Sequence, residues 1–326
     1  MKRKNSPYLP AKIAKSNHMI VSDRPPFSSL LRIFVLVLFV GWLVIGQTIG
    51  LAIGALLYEG SFINDYGDLV NHPELKNALL LTLGVGSAIG LILLPIYYLK
   101  FLERKNIGTF FKNESNWMIM LVALFLAVIG LSMSISPIVE WNANVHFPTW
   151  MSGFETWARN YELQGAETTK LLTSNLSLAE FLFTFIVVAI IPGIGEELVF
   201  RGLIQTEFQR ALRNPHAAIW ITAMLFSAIH VQFFGFLPRM FIGAFLGYLF
   251  YWSGNLLVSM IAHFFNNGIQ LLGLYLYQKG IITIDLESTE SAPWTIVAIG
   301  TVATFLLLAY LRNYFISRST SISDIH

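Results

Sequence analysis

The stretch Glu196-Glu197-Leu198-Val199-Phe200-Arg201-Gly202 places two adjacent carboxylates and a guanidinium in a chain that otherwise reads as membrane. On the lower of the current scales, one charged side chain at the centre of a spanning helix costs about 2.5–3.5 kcal/mol. Three of them within six residues demand pairing, chemistry, or both. Working outward, the 326 residues are 55% apolar and 12% charged, against about 25% charged in a soluble domain. Several apolar runs exceed the roughly 18 residues that mark a spanning helix. The fold class expected is all-α: a polytopic membrane protein of about eight transmembrane helices with an intramembrane active site. The chain holds no cysteine, which excludes disulfides, thiolate metal sites and cysteine nucleophiles.

The patterning predicts helices near 33–57, 78–99, 117–138, 178–213, 216–233, 238–252, 256–277 and 294–312. The chain then divides into a basic disordered tail (1–30), a three-helix region with a long polar loop (31–177), a core (178–277), and a last helix with a short tail (278–326). Gly46, Gly50 and Gly54 in the first helix, and Gly86 and Gly90 in the second, read as close helix-packing faces. The connection 139–177 carries Trp141, Trp150 and Trp157, which suits a helix at headgroup level. Eight passes put both termini on one side. That side collects sixteen of the 21 Lys and Arg residues, against five on the other. The positive-inside rule then places both termini in the cytoplasm of a multi-pass cell-membrane protein.

Within the core, six polar groups lie in apolar surroundings: Glu196, Glu197, Arg201, His230, His263 and Asn267. Glu196 and His230 are each 17 residues from Arg213, beside the Asn214-Pro215 turn. In an antiparallel hairpin both would sit about 25 Å along their helices, at the same height. Glu197 and Arg201 have the favourable i,i+4 order for an ion pair, and Glu196 points about 100° away from its neighbour. The expectation is one structural carboxylate, Glu197 paired with Arg201, and one working carboxylate, Glu196. His263 and Asn267 share a helix face one turn apart. A lone histidine in such a helix as often as not only bonds a neighbouring helix, and a lone asparagine does so more often than not; the combination is what points to hydrolysis.

These motifs, Glu196-Glu197-x-x-x-Arg201, Phe226-x-x-x-His230 and His263-x-x-x-Asn267, resemble the CPBP family over about 178–275. That family comprises type II CAAX prenyl endopeptidases and bacteriocin-processing or self-immunity (Abi-like) proteins. The resemblance implies intramembrane peptide-bond hydrolysis at catalytic residues Glu196, His230, His263 and Asn267. In one version Glu196 is the general base, His230 orients the same water, and His263 and Asn267 hold the oxyanion. In the competing version a divalent metal, zinc, sits on Glu196, His230 and His263. Asn is a good oxyanion donor and a poor zinc ligand, which favours the first. The expected partners are a peptide or protein with a membrane-proximal cleavage site and the lipid bilayer. No nucleic acid is expected, and oligomeric state and prenylation of the substrate stay open. A non-catalytic immunity or scaffold protein of the same fold is the main alternative. An ion-coupled transporter would show broken helices in both halves, whereas only Pro192-Gly193 offers a break. A further expectation concerns the turn at Ser253-Gly254-Asn255: His263 and His230 are level only if that turn lies deeper in the membrane or the helices tilt, and a buried turn with Asn255 inaccessible is expected.

Overall fold

The computed structural model describes residues 25–57, 72–112, 114, 116–174, 176–283 and 288–323. Most of the expected 1–30 tail and most of the polar loop near 58–77 lie outside them. Among the described residues the architecture is all-helical: α1 (Phe27–Leu57), α2 (Lys76–Leu102), α3 (Trp117–Ala143), α4 (Ser152–Thr173), α5 (Leu178–Leu212), α6 (Pro215–Ala228), α7 (Phe236–Ser253), α8 (Leu256–Gln278) and α9 (Trp294–Ser323). Seven helices, all but α4 and α6, are long and apolar enough to cross a membrane. The protein is a polytopic all-α membrane protein.

One expected span is shorter than the sequence pattern suggests. The helix read as 216–233 ends at Ala228 after 14 residues, about 21 Å of rise, against a hydrocarbon core of about 30 Å. The reason is local. Val231 takes a left-handed conformation with φ 57°, and the His230 and Val231 amides turn back to Ser227 and Ala228. His230 therefore sits in the turn beyond α6 rather than within a helix.

α1 and α2 touch backbone to backbone. A Cβ on Gly50 would lie 2.3 Å from the Thr82 carbonyl oxygen, and one on Gly90 would lie 2.5 Å from Trp42 Cα. Only hydrogen fits at either place, so the glycine faces read from the sequence pack as expected. α7 approaches α5 in a related way. Arg201 donates to the Gly243 carbonyl at 2.8 Å and Gln205 to the Gly247 carbonyl at 3.0 Å. Each acceptor is a helical carbonyl using its second lone pair, and the side-chain-free glycines bring α7 within reach.

The turn between α7 and α8 is buried as expected, but the cover comes from protein. Gly254 is left-handed at φ 57°, and Asn255, 0% exposed, caps α8 by accepting from the Leu257 amide at 3.2 Å. Asn255 Nδ2 donates to the Lys112 carbonyl, and Lys112 Nζ donates to the Ser253 carbonyl, both at 3.0 Å. The segment between α2 and α3 thus closes over the turn. Burial there pushes the Lys112 amine below its ordinary value, with Glu114 opposing the shift.

The long connection between α3 and α5 forms the amphipathic helix α4. Its aromatic side meets the turn that follows α6: the Phe154 and Phe233 rings are 4.9 Å apart, and Arg159 lies 4.1 Å from the centre of the Phe234 ring. Trp150 and Trp157 are exposed, as suits a surface helix. This helix roofs the end of the core where His230 lies.

Candidate active site

α5 carries the opening stretch. Its hydrogen bonding is α-helical over Ile191–Glu197 and widens to the i→i+5 pattern over Leu198–Gln205. Such widened turns recur at functional sites. Every residue of that turn is buried, and the Thr206 hydroxyl donates to the Arg201 carbonyl at 3.1 Å. Gly193, one residue after Pro192, lies against α8, where an added Cβ would be 3.2 Å from the Phe264 amide nitrogen. That close approach brings the two carboxylates of α5 to the histidine of α8.

Glu197 and Arg201 meet at 2.8 Å with neither side chain exposed. Each ion taken out of water costs several kcal/mol, so the pair persists only with further hydrogen bonds. Those are present. His263 Nδ1 is 2.9 Å from Glu197 Oε1, Arg201 reaches the Gly243 carbonyl, and its guanidinium lies 4.9 Å from the centre of the Phe226 ring. The pairing of Glu197 with Arg201 is as the i,i+4 spacing leads one to expect. Its extension to His263 was not legible, because it depends on the approach of α8 to α5.

Glu196 differs from its neighbour. Its side chain keeps 16% exposure, and its Oε2 lies 3.9 Å from His263 Nε2. With Nδ1 donating to Glu197, Nε2 carries a lone pair towards Glu196. Two acceptors 3.9 Å apart suit one water that donates to both.

Phe226 connects the two imidazoles. Its ring stands edge-on to His230 at 5.3 Å and to His263 at 5.8 Å. His230 Nδ1 bonds the Phe226 carbonyl at 2.8 Å, which leaves Nε2 for other partners. Asn267 Nδ2 donates to the Val188 carbonyl at 3.3 Å, and its Oδ1 accepts from Asn266 at 3.1 Å. One Asn267 N–H is left for another acceptor.

The zinc trio Glu196, His230 and His263 is not assembled. Among the described residues no group of three His, Cys, Asp or Glu is placed to hold a metal ion. In both histidines Nδ1 is engaged, in His263 by Glu197 and in His230 by the Phe226 carbonyl, so Nε2 is the nitrogen each keeps for another partner.

Two polar residues were passed over in the sequence. Arg239 on α7 donates to Gln232 Oε1 at 2.7 Å, and it is among the charges acting on both Glu196 and His230. Glu162 on α4 acts in turn on Arg239. The signal for Arg239 was available, since an ionisable residue in an apolar span is a functional candidate. For Glu162, on a polar helix, there was none.

Fold and site together define a polytopic helical membrane protein with a buried acid–base cluster at the contact of two long helices. Residues 178–269 match the family model described as type II CAAX prenyl endopeptidase Rce1-like. A protein of Bacillus subtilis (strain 168), described as uncharacterized protein YpbD, is 28% identical over 112 residues, covering 33% of this chain and 52% of its own length. The chain thus spans about half the length of that relative. No solved structure matches the chain.

Proposed function

We propose that this protein is an intramembrane endopeptidase that hydrolyses a peptide bond near the membrane, with residues 178–277 as its catalytic core. The observation that carries the reading is the asymmetry of the two adjacent glutamates. Glu197 is spent on Arg201 and His263, while Glu196 keeps surface and faces a ring nitrogen across 3.9 Å.

In this reading a water held between Glu196 Oε2 and His263 Nε2 attacks the scissile carbonyl carbon. Glu196 takes the water proton as general base. The carbonyl π-pair moves to oxygen, and that oxyanion accepts from the remaining Asn267 N–H in a low-dielectric site. Collapse re-forms the carbonyl and breaks the C–N bond, and Glu196 passes the proton to the leaving amine. His263 is thus the imidazole beside the base, a place the sequence spacing assigned to His230. His230 offers Nε2 to a substrate N–H from the other side of Phe226. Glu197 and Arg201 are positioning residues: they hold the His263 tautomer and fix the α5–α8 contact.

The experiment is cleavage of a panel of membrane-anchored peptides by purified wild type and Glu196→Gln, with and without chelator. The expected result is a rate about 10²–10⁴-fold lower in Glu196→Gln, the usual contribution of a general base, and no effect of chelator on wild type. Equal cleavage by both proteins would overturn the role of Glu196, and a chelator loss restored by zinc would return the metal to the mechanism. With α6 counted as a short crossing, the Lys and Arg distribution puts both termini in the cytoplasm. Reporter fusions at the two ends test this, and opposite locations would refute it.

A further inference from the structure

On the side of α5 away from Glu196, a cavity of about 500 Å³ opens between α2, α5 and α8. Its lining is apolar throughout: Ile92 and Ile96 come from α2, Ile194 and Leu198 from α5, Ile261 from α8, and Phe111 from the segment between α2 and α3. The volume lies within the about 300–1,000 Å³ of small-molecule pockets. The cavity is separate from the catalytic cluster. Glu196 stands two residues beyond Ile194, and His263 two beyond Ile261, so each points about 160° away from the lining residue on its own helix. Phe111 and Ile194 stay exposed at its edge. Because α2, α5 and α8 are all membrane spans, what reaches that edge is lipid.

One end of the cavity carries positive charge. Lys100 continues the Ile92–Ile96 row one turn along α2, about 6 Å beyond Ile96. It is exposed, with its amine 5.3 Å from the centre of the Phe101 ring. Lys112 directly follows Phe111, and its amine is held at the end of α7 by the Ser253 carbonyl at 3.0 Å. Ser253 lies four residues before Leu257, which also lines the cavity. An ammonium has three N–H donors, so that one bond does not exhaust Lys112. Over residues 100–112, Lys100, Arg104, Lys105 and Lys112 stand against a single acid, Glu103. Glu103 in turn already accepts from the Tyr98 hydroxyl at 3.0 Å.

An apolar trough that ends in fixed cations matches an amphiphile with a long hydrocarbon chain and an anionic head. Basic pockets between spanning helices hold acidic lipid head groups in this way. We infer that the cavity seats one acyl chain of an anionic phospholipid whose phosphate is held by Lys100 and Lys112. The chain braces α2 against α5 beside the point where the two helices already touch at Gly195, since a Cβ there would lie 2.7 Å from Leu91 Cβ. The inference goes beyond the endopeptidase reading and does not depend on it.

The test uses the full chain, stripped of lipid in detergent and titrated with dioleoyl phosphatidylglycerol or dioleoyl phosphatidylcholine in mixed micelles. Native mass spectrometry counts retained lipid, and the melting temperature is followed in parallel. One phosphatidylglycerol should be retained per chain and raise the melting temperature, and phosphatidylcholine should do neither. Lys100→Gln should weaken phosphatidylglycerol binding about fivefold, the usual worth of one basic residue beside anionic lipid, and Lys100→Gln with Lys112→Gln about 25-fold. Ile92→Trp keeps both lysines but places an indole in the cavity, and should abolish retention. Equal retention of the two lipids by wild type would make them ordinary boundary lipid and overturn the inference. Full phosphatidylglycerol binding by Ile92→Trp would put the head group on the basic segment with no chain in the cavity, which also overturns it. Displacement of the lipid by a lipid-modified peptide would give the cavity to substrate instead. Lys112 also ties down Ser253, so if the double variant fails to fold, Lys100→Gln at its exposed position still decides the role of charge.

Discussion

Two arginines on neighbouring helices mark two differently finished polar clusters. Arg201 on α5 is fully buried, paired at 2.8 Å with Glu197 and bonded to the Gly243 carbonyl. Arg239 on α7 is only partly buried and donates to Gln232 in the turn after α6 at 2.7 Å. The inner cluster is tied together across α5, α7 and α8; the outer one straddles α7 and the roof helix α4. A fully buried ion pair of this kind specifies architecture, because any opening exposes a charge to an apolar interior.

The sharpest way to break this comparison is at Arg201. Arg201→Met leaves Glu197 buried without its counter-ion and should cost about 3–5 kcal/mol, read as a large fall in melting temperature or loss of monodisperse protein in detergent. Glu197→Gln combined with Arg201→Met removes both charges and should recover part of that loss, since a buried pair replaced together is often nearly neutral. A double variant as unstable as the single one would show that the pair does more than balance charge. A smaller effect is expected at Gly193, which controls the distance between the glutamates and His263 without carrying charge. Gly193→Val drives side-chain atoms into the α8 backbone beside Phe264 and should cost about 1–3 kcal/mol. Cleavage should fall further than stability does, because the Glu196–His263 spacing opens; parallel losses would count against that geometry.

At the outer cluster, Gln232→Ala removes the bond to Arg239 and should cost about 0.5–1.5 kcal/mol of stability, read as a lower melting temperature. An unchanged melting temperature would make Gln232 a spectator. The smallest effect belongs to the tether of α4. Glu155 accepts from the Phe147 amide and from Arg159 and His146. Those bonds, the Phe147 amide foremost, pull its carboxyl down to about 2. Its folded value is depressed, so the tether is at full strength above the ordinary carboxylate value of 4.5 and is lost as pH falls towards about 2. Tryptophan fluorescence from Trp150 and Trp157 should hold steady from pH 7 to 5 and shift only in strong acid. Glu155→Gln should shift it already at pH 7, and a variant signal that matches wild type at every pH would remove the tether from the account.

How much of this could be read beforehand differs by element. The i,i+4 pair Glu197–Arg201 was legible because both partners lie on one helix, whose geometry follows from 3.6 residues per turn. The glycine contacts of α1 and α2 were legible for a similar reason, since repeated small residues mark one face. His230 was read as lying within a regular helix, because equal counts from the Asn214-Pro215 turn assume two regular helices; α6 instead stops at Ala228, and Val231 turns left-handed. The buried turn at Asn255 was anticipated, but its cover was not, because the Lys112 contact joins residues 143 positions apart.

By itself, the sequence determined the class: apolar runs of spanning length, a charge cluster that an apolar helix does not tolerate unpaired, and three polar motifs in order. Those properties follow from composition and from the period of one helix, which are local. Only the tertiary structure decided which histidine stands beside Glu196 and which glutamate is spent on the ion pair and His263. Each of those depends on how closely two helices approach, and a difference of one ångström there separates a hydrogen bond from a gap wide enough for water or substrate.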